Sequence, residues 1–530
     1  MKLWMCCIVI TLTVLVQVSS ADDKPCVPRR FDQDSVVCVC NSTYCDTIEG
    51  IESKQRPSNP IPYWYSYTSS KAGDRLSYKF GGFTTTASSQ ILFTVANTTN
   101  TTIMGFGGAF TDAATMTMKT LSDDARTNLI KSYYSPQGIE YNFGRIPMAS
   151  CDFSNRIYSY DDHDGDMTLE KFSLVDEDLK YKIPTIKDAM SVSRRKVSLF
   201  GSPWSSPYWM KTNNNMTGKG TLKGEVDGDY YKTWANYFVK FLQAYKEQGL
   251  ELWGLTAQNE PTDGGYTDFS FQCLGWTPQT QAIFIANSLG PALEAAGFGD
   301  IKLMILDDNR ALIQYWSDIV LKNLEAAKYV SGIAVHWYLD LIIPPSIIDE
   351  AYNEFGDDYF FLNTEACEQD LVNLKNSVKL GNWYNGEHYF TDIMQDLKHG
   401  IAGWVDWNLA LDMNGGPNWA NNFADSPIIV NADADEFYKQ PMFYAMAHYS
   451  KFVEPGSKVV SYESNVSKTS GVDAIFFVRD NGYFTANFVN INEDPLDISI
   501  KDPTVYGYVN IEIPARSFVT VTWWSNTEFE

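Results

Sequence analysis

Two glutamates stand where a carboxyl could do acid–base work. Glu260 closes the stretch Thr256–Pro261 (TAQNEP), just after the apolar run Leu252-Trp253-Gly254-Leu255. Such a run reads as a short buried strand. A carboxyl at its end is pushed toward the neutral form by desolvation. That suits a general acid, although a Glu can also end a strand and simply face solvent. Glu365 holds a matching place in Phe361-Leu362-Asn363-Thr364-Glu365-Ala366-Cys367. Two opposed carboxyls fit hydrolysis of a glycosidic bond. One protonates the leaving oxygen, the other attacks the anomeric carbon, and a gap of about 5–5.5 Å gives double displacement with retention. The sequence predicts Glu260 as acid/base, kept neutral by burial and a neighbouring negative charge. It predicts Glu365 as nucleophile, kept ionised by donors. Asn259, beside the acid, is placed to bond the sugar 2-hydroxyl.

Only a fold that gathers strand ends can bring these residues together. From about residue 103, apolar strands alternate with amphipathic segments. The expected strands are Ile103–Phe110, Tyr141–Met148, Val197–Phe200, Leu252–Leu255, Ile301–Leu306, Gly332–Tyr338, Tyr359–Asn363 and Ile401–Trp407. Helical spacing follows each, for example at 122–134, 176–192, 230–248, 277–296 and 440–452. Repeated βα units imply a parallel sheet. Eight of them over about 350 residues predict an α/β fold, a (β/α)8 TIM barrel whose site lies at the C-terminal strand ends. Glu260 then ends the fourth strand and Glu365 the seventh. The same rim receives Asp152 after strand two, Trp204 after strand three, His336-Trp337-Tyr338 at strand six and Asp406-Trp407-Asn408 at strand eight. Long loops at Cys151–Asp176, Ser202–Asp229 and Asp406–Phe437 are expected on that face. One such Trp is ordinarily packing and one such Asp a cap. A polar or aromatic side chain at one strand end after another is not explained by packing.

Both chain ends have β texture, at 22–100 and 456–530, with short alternating runs between Gly- and Pro-bearing turns. Together they predict an accessory β-sandwich-like domain, leaving 101–455 to the barrel. Residues 1–21 read as a secretory signal peptide: Met1-Lys2, sixteen apolar-rich residues Leu3–Val18, then small residues with cleavage near Ala21. No later stretch approaches twenty apolar residues, which predicts a soluble mature protein. Cys26, Cys38, Cys40 and Cys45 cluster near the mature start, as a disulfide framework with three pairings would. Zinc is the alternative, disfavoured by the tight Cys38-Val39-Cys40 spacing and the lack of a nearby His. Cys151, Cys273 and Cys367 are expected to be free. Asn41, Asn97, Asn100, Asn215 and Asn465 begin glycosylation sequons. A net charge of −24 and a pI near 4.6 exclude a basic nucleic-acid footprint. They are compatible with acidic surroundings, where protonation relieves self-repulsion.

The motifs GFGGAFTD at Gly105–Asp112, GIAVHWYLD at Gly332–Asp340, GWVDWNLAL at Gly403–Leu411, DSPIIV at Asp425–Val430, and the blocks Val36–Asp46, Ser202–Thr212, Leu255–Pro261, Thr364–Cys367, Gly415–Trp419 and Phe437–Phe443 run through the chain. In them the sequence resembles glycoside hydrolase family 30, and within it the glucosylceramidases (acid β-glucosidases), from about Pro25 to the end. The resemblance implies Glu260 as acid/base and Glu365 as nucleophile. It implies glucose contacts at Asp152, Trp204, Asn259, Trp407 and Asn422, and pocket-mouth residues Phe271 and Tyr338, the latter bonding an active-site Glu. It also implies the pairings Cys26–Cys38 and Cys40–Cys45, and no metal or organic cofactor. Three stretches depart from the family pattern: Glu368-Gln369-Asp370, Phe269, and Leu339–Tyr352. All are expected in mouth loops, so the aglycone rather than the glucose subsite is affected.

The expected reaction is retaining hydrolysis of glucosylceramide to glucose and ceramide. Alternatives are another β-glycoside (a glucan, xylan or sterol glucoside), or a dead barrel that only binds glycans, against which both glutamates argue. The family implies membrane-borne substrate, a saposin-type activator, anionic lipid and a lysosomal or secreted location. Ile342, Ile343, Pro344, Pro345 and Ile347 form an apolar cluster in a mouth loop that would suit a lipid surface, or would form a buried turn.

Overall fold

The computed structural model describes residues 24–48, 63–467 and 470–525. The expected signal segment 1–21 lies outside them, as does the side chain of Asn97. Eight parallel strands close into a barrel: β1 (Gly105–Ala109), β2 (Phe143–Met148), β3 (Ser198–Pro203), β4 (Gly254–Thr256), β5 (Lys302–Asn309), β6 (Val330–His336), β7 (Phe360–Glu365) and β8 (Gly403–Asn408). Each lies on one of the eight apolar runs expected from the sequence.

The two-residue period of a strand sorts the barrel interior into layers. Phe143, Phe200, Met304, Ala334, Leu362 and Val405 form a closed apolar plug. Two residues further along β2, β3, β6, β7 and β8 come Arg145, Ser202, His336, Thr364 and Trp407, all buried. The strands thus begin as hydrophobic core and end as a polar layer. β5 departs from the regular pattern. Its register with β6 shifts between Leu306 and Asp308, and Leu306 and Asp307 have φ of 68° and 58°. Non-glycine residues rarely adopt such angles. The bulge lets Asp307 join the polar layer. The expected GFGG segment forms β1, where Gly105 has φ of 136° and a β-carbon would fall 1.9 Å from the Asn142 side-chain oxygen.

Nine strands make the accessory sheet. Tyr63–Ser70, Ser77–Gly82 and Leu92–Thr102 come from the N-terminal side, and six strands between Lys458 and Trp524 from the C-terminal side. Its faces enclose Phe93, Phe476, Phe484, Phe488 and Trp523. The first part of segment 22–100 does not join it. Strands Pro28–Arg30 and Val36–Asn41 instead pair in a five-stranded sheet with Leu411–Asp412, Ile428–Asn431 and Glu436–Lys439. The last three lie in or just beyond what the sequence presents as one long loop after β8. The reason is burial on both faces. Val36 to Cys40 is buried throughout, with Val37 and Val39 packed into the cluster holding Trp204 and Trp407, and Cys38 and Cys40 into the main core. This sheet therefore backs the functional rim. Disulfides join Cys26 to Cys38 and Cys40 to Cys45, so these cysteines are not zinc ligands, and Cys151, Cys273 and Cys367 are free and buried. Disulfides of this kind form in the oxidising secretory pathway. Among the described residues, no helix is long and apolar enough to cross a membrane.

Candidate active site

β4 is only three residues long, but its backbone pairing continues past Thr256. Ala257 N–H donates to Met304 O at 3.0 Å, Asn259 N–H to Pro203 O at 3.0 Å and Glu260 N–H to Asp307 O at 2.8 Å. Glu260 is thereby pinned between β3 and β5, with φ of 41°. Glu365 ends β7, opposite His336 in the ladder with β6. An oxygen of Glu260, an oxygen of Glu365 and a His336 nitrogen all lie within 4.8 Å of one another. Positive charge in this cluster is already supplied by Arg145 and His336.

Arg145 organises the floor. Its guanidinium donates to Glu365 Oε2, to Asn259 Oδ1 at 2.8 Å, to Asp307 Oδ2 at 2.8 Å and to Ser202 Oγ at 3.2 Å. It also lies 5.0 Å from the Trp204 ring and 5.3 Å from that of Trp407, which stack on each other at 5.1 Å. Because Arg145 claims the Asn259 oxygen, the amide is oriented with its nitrogen left to donate. Tyr338 donates to Glu365 Oε1 at 2.5 Å. His336 Nδ1 is 3.2 Å from Glu260 Oε1 and its Nε2 is 3.0 Å from Asp307 Oδ1.

Charge in this layer follows from those contacts. Burial alone would keep His336 neutral, but Glu365 and Asp307 raise its pKa to about 10, so it is a cation at neutral pH. Against burial, Arg145 and His336 hold Asp307 well below the carboxylate range. The catalytic-type pair is tuned opposite to the sequence expectation. Burial raises Glu260, yet the His336 hydrogen bond and charge outweigh it and leave its pKa low. Glu365 is raised by burial, with the charge of Glu260 adding to it against His336 and Arg145. The sequence shows two carboxyls but not the cation wedged behind one of them.

The rim encloses a cavity of about 270 Å³. Of the residues expected to meet substrate, Asp152, Trp204, Glu260, Phe271, Tyr338, Glu365, Trp407 and Asn422 line it. Asn422 Nδ2 donates to Asp152 Oδ2 at 2.9 Å and Asn418 Nδ2 to the same oxygen at 3.2 Å. Burial nevertheless pushes Asp152 up to about 7. His336 belongs to a layer below: it is fully buried, absent from the cavity wall, and both ring nitrogens are engaged by carboxylates. It is a partner of Glu260 rather than a sugar contact. Asn259 is also outside the wall, its side-chain oxygen engaged by Arg145 at 2.8 Å.

Sequence reasoning missed Arg145, Asp307 and Asp263. A signal existed for Arg145, a lone charge in the apolar strand Phe143–Met148, and for Asp307, at a strand end. Of the departing mouth residues, Phe269 and Gln369 line the cavity, and Gln369 donates to Asn422 Oδ1 at 3.1 Å. Glu368 turns away and pairs with His388 Nδ1 at 2.7 Å. The apolar cluster is not a fully buried turn: Ile342 is 75% exposed and Pro344 exposed, while Ile343, Pro345 and Ile347 are half-buried, and Leu341 just before it is 73% exposed.

Residues 103–453 match the model of the glycosyl hydrolase family 30 TIM-barrel domain, and 456–521 that of the family's beta sandwich domain. The chain is 43% identical over 503 residues to the lysosomal acid glucosylceramidase of Mus musculus, covering 94% of this chain and 96% of that protein. It is 42% identical over 510 residues to putative glucosylceramidase 4 of Caenorhabditis elegans, covering 95% and 96%. Among solved structures, SrfJ from Salmonella typhimurium superposes with a TM-score of 0.79 at 25% identity, covering 88% of this chain and all of that one.

Proposed function

The chain belongs to glycosyl hydrolase family 30, and we propose that it is a retaining β-glucosidase that releases glucose from glucosylceramide at a membrane surface. The observation that carries the chemistry is the approach of Glu260 and Glu365 within 4.8 Å at the barrel rim. Inverting enzymes separate their carboxyls by about 6.5–9.5 Å to admit a water. In the first step Glu365 attacks the anomeric carbon while Glu260 protonates the departing ceramide oxygen. In the second, Glu260 takes a proton from water as that water's oxygen bonds the anomeric carbon and Glu365 leaves. Arg145 and Tyr338 hold the Glu365 oxygens in line. Asp152 and Asn422 offer hydrogen bonds to sugar hydroxyls, Trp204 and Trp407 offer an apolar face, and Phe271 stands at the mouth. Asn259, outside the wall, is tied to the floor by Arg145. Arg145 and the Tyr338 hydroxyl, both donating to Glu365, stabilise it as the attacking carboxylate.

The substrate reading draws on the similarity to glucosylceramidases and on the rim. A cavity this small suits one sugar ring. Around it, Tyr266 after β4, Leu341 and Ile342 after β6, and Leu371 and Val372 after β7 are exposed by 63% to 98%. Apolar side chains on three neighbouring loops suit insertion into a lipid interface. A lysosomal setting, a saposin-type activator and anionic lipid fit the same reading, as does glycosylation at the exposed Asn100 and Asn215. The test is glucose release from glucosylceramide in anionic vesicles, with and without a saposin-type activator, against a soluble glucan. Turnover of the vesicle substrate is expected; turnover of the glucan alone overturns the substrate assignment.

A further inference from the structure

Glu260 is flanked by a third carboxyl that the double-displacement scheme does not use. Asp263 follows it by three residues in a tight turn, its N–H donating to Glu260 O at 3.0 Å. The turn is continued by Asp263–Gly265, and Gly264 is packed against Gly275, where a β-carbon would lie 2.0 Å from the Gly275 nitrogen. This holds Asp263 in the wall of the same cavity as Glu260. There the two carboxyl groups face each other across the turn, close enough for each to act directly on the other. Two facing carboxyls repel when both are ionised and can share a hydrogen bond only when one carries a proton. His336 occupies Oε1 of Glu260 from the β6 side.

We propose that Asp263 is a positioning residue for catalysis, sharing one proton with Glu260 and so keeping the acid charged with that proton at higher pH than a lone Glu260 would allow. This rests on the reading of Glu260 as acid/base. The proton balance is simple. Glycosylation moves the shared proton to the departing oxygen as the anomeric C–O bond breaks, leaving both carboxyls ionised. Deglycosylation returns one proton from water as its oxygen bonds the anomeric carbon.

The surroundings favour Asp263 as the holder. Burial and the adjacent Glu260 charge push it up to about 12, with Asp308 and Cys273 also facing it. Glu260 is faced by cations His336 from β6 and Arg145 from β2, and by acidic groups Glu365 from β7, Asp308 from β5 and Tyr338. Asp307 stands behind His336, and Asp308 is held by the Thr262 hydroxyl at 2.7 Å. With His336 cationic, Glu260 alone would give up its proton early; a carboxyl neighbour with one proton between them delays the last dissociation.

The experiment is the pH profile of kcat/KM for Asp263→Asn and Asp263→Ala on two β-glucosides, one with an alkyl leaving group and one with an acidic phenol. The basic limb for the alkyl glucoside should move toward acid by about one pH unit, a roughly tenfold loss above it. The phenol glucoside, which needs little protonation, should lose much less. An unmoved limb in both variants overturns the proposal, and so does an equal loss at all pH values on both substrates, which a merely structural role would give. Glu260→Gln is run in parallel. If it retains alkyl-glucoside turnover, the acid/base reading itself fails. If it loses that turnover while the Asp263 variants keep the wild-type limb, only the Asp263 proposal fails.

Discussion

Arg145 on β2 donates directly to the carboxylate of Glu365 on β7, across the barrel mouth, with both side chains almost wholly removed from solvent. The same guanidinium bonds Asp307, Asn259 and Ser202. One planar fork thus fixes a floor to which five strands contribute. Lysine has a single point of charge and cannot reproduce that set. Arg145→Lys is expected to lower kcat/KM by about 100-fold or more through misplacement of Glu365. Arg145→Ala should also destabilise by about 3–5 kcal/mol, because Asp307 and Glu365 lose their compensating charge. Thermal melts and kinetics on a chromogenic glucoside read both effects; wild-type values for either variant would contradict this account of the floor.

The two glutamates should respond differently to amide substitution. Glu365→Gln removes the attacking oxygen and should abolish turnover on every substrate. Glu260→Gln should cost about 10²–10⁴-fold on alkyl glucosides, the usual worth of proton transfer, while sparing attack on a glucoside with a good leaving group. Near-normal rates in both variants would refute the assignment.

Stability should be greater in mild acid than at slightly alkaline pH. Asp152 and Asp425 are raised to about 7 and Asp396 to about 8, chiefly by burial, and His336 to about 10 by the carboxylates around it. A group whose folded pKa exceeds its unfolded value binds protons more tightly when folded. Its contribution is complete below the unfolded pKa and is lost as pH rises through the folded one. For the carboxyls that loss runs from about pH 4 to 8, and for His336 from about 6.5 to 10. His448 opposes them. Buried between Ser69 and Thr520, it is lowered to about 3, so its contribution is lost as pH falls from about 6.5 toward 3. Four groups outweigh one, so the melting temperature near pH 5 should exceed that near pH 8 by several degrees. The reverse order would show that these carboxyls are not protonated in the folded chain.

The apolar rim should matter only for substrate held in a membrane. Replacing Leu341, Ile342, Leu371 and Val372 with Ser removes side chains that are 73% to 98% exposed in the folded protein. Activity on glucosylceramide vesicles and vesicle cosedimentation should both fall by at least about tenfold, which at about 0.8 kcal/mol per CH₂ corresponds to withdrawing fewer than two CH₂ groups from lipid. Hydrolysis of a soluble aryl glucoside should be unchanged. Equal losses on both substrates would place the defect in the sugar site instead.

The sequence by itself determined the barrel, its eight strands and the strand ends that carry Glu260 and Glu365. These rest on local apolar runs and on the two- and 3.6-residue periods, which a linear chain displays directly. It also displayed most of the cavity wall, because a polar or aromatic residue just past an apolar run has few other places to go. Only the tertiary structure decided the rest. Pairing of Val36–Asn41 with strands nearly four hundred residues later depends on which buried edge is vacant, and no local pattern encodes that. The bulge that turns Asp307 inward depends on register with β6. Above all, proton placement was invisible in the chain. Glu260 and Glu365 have the same intrinsic chemistry, and what separates them is distance to His336, Arg145 and Asp263. Electrostatic energy falls with separation in space, not in sequence, so a motif can locate the carboxyls while only the folded barrel sets their charges.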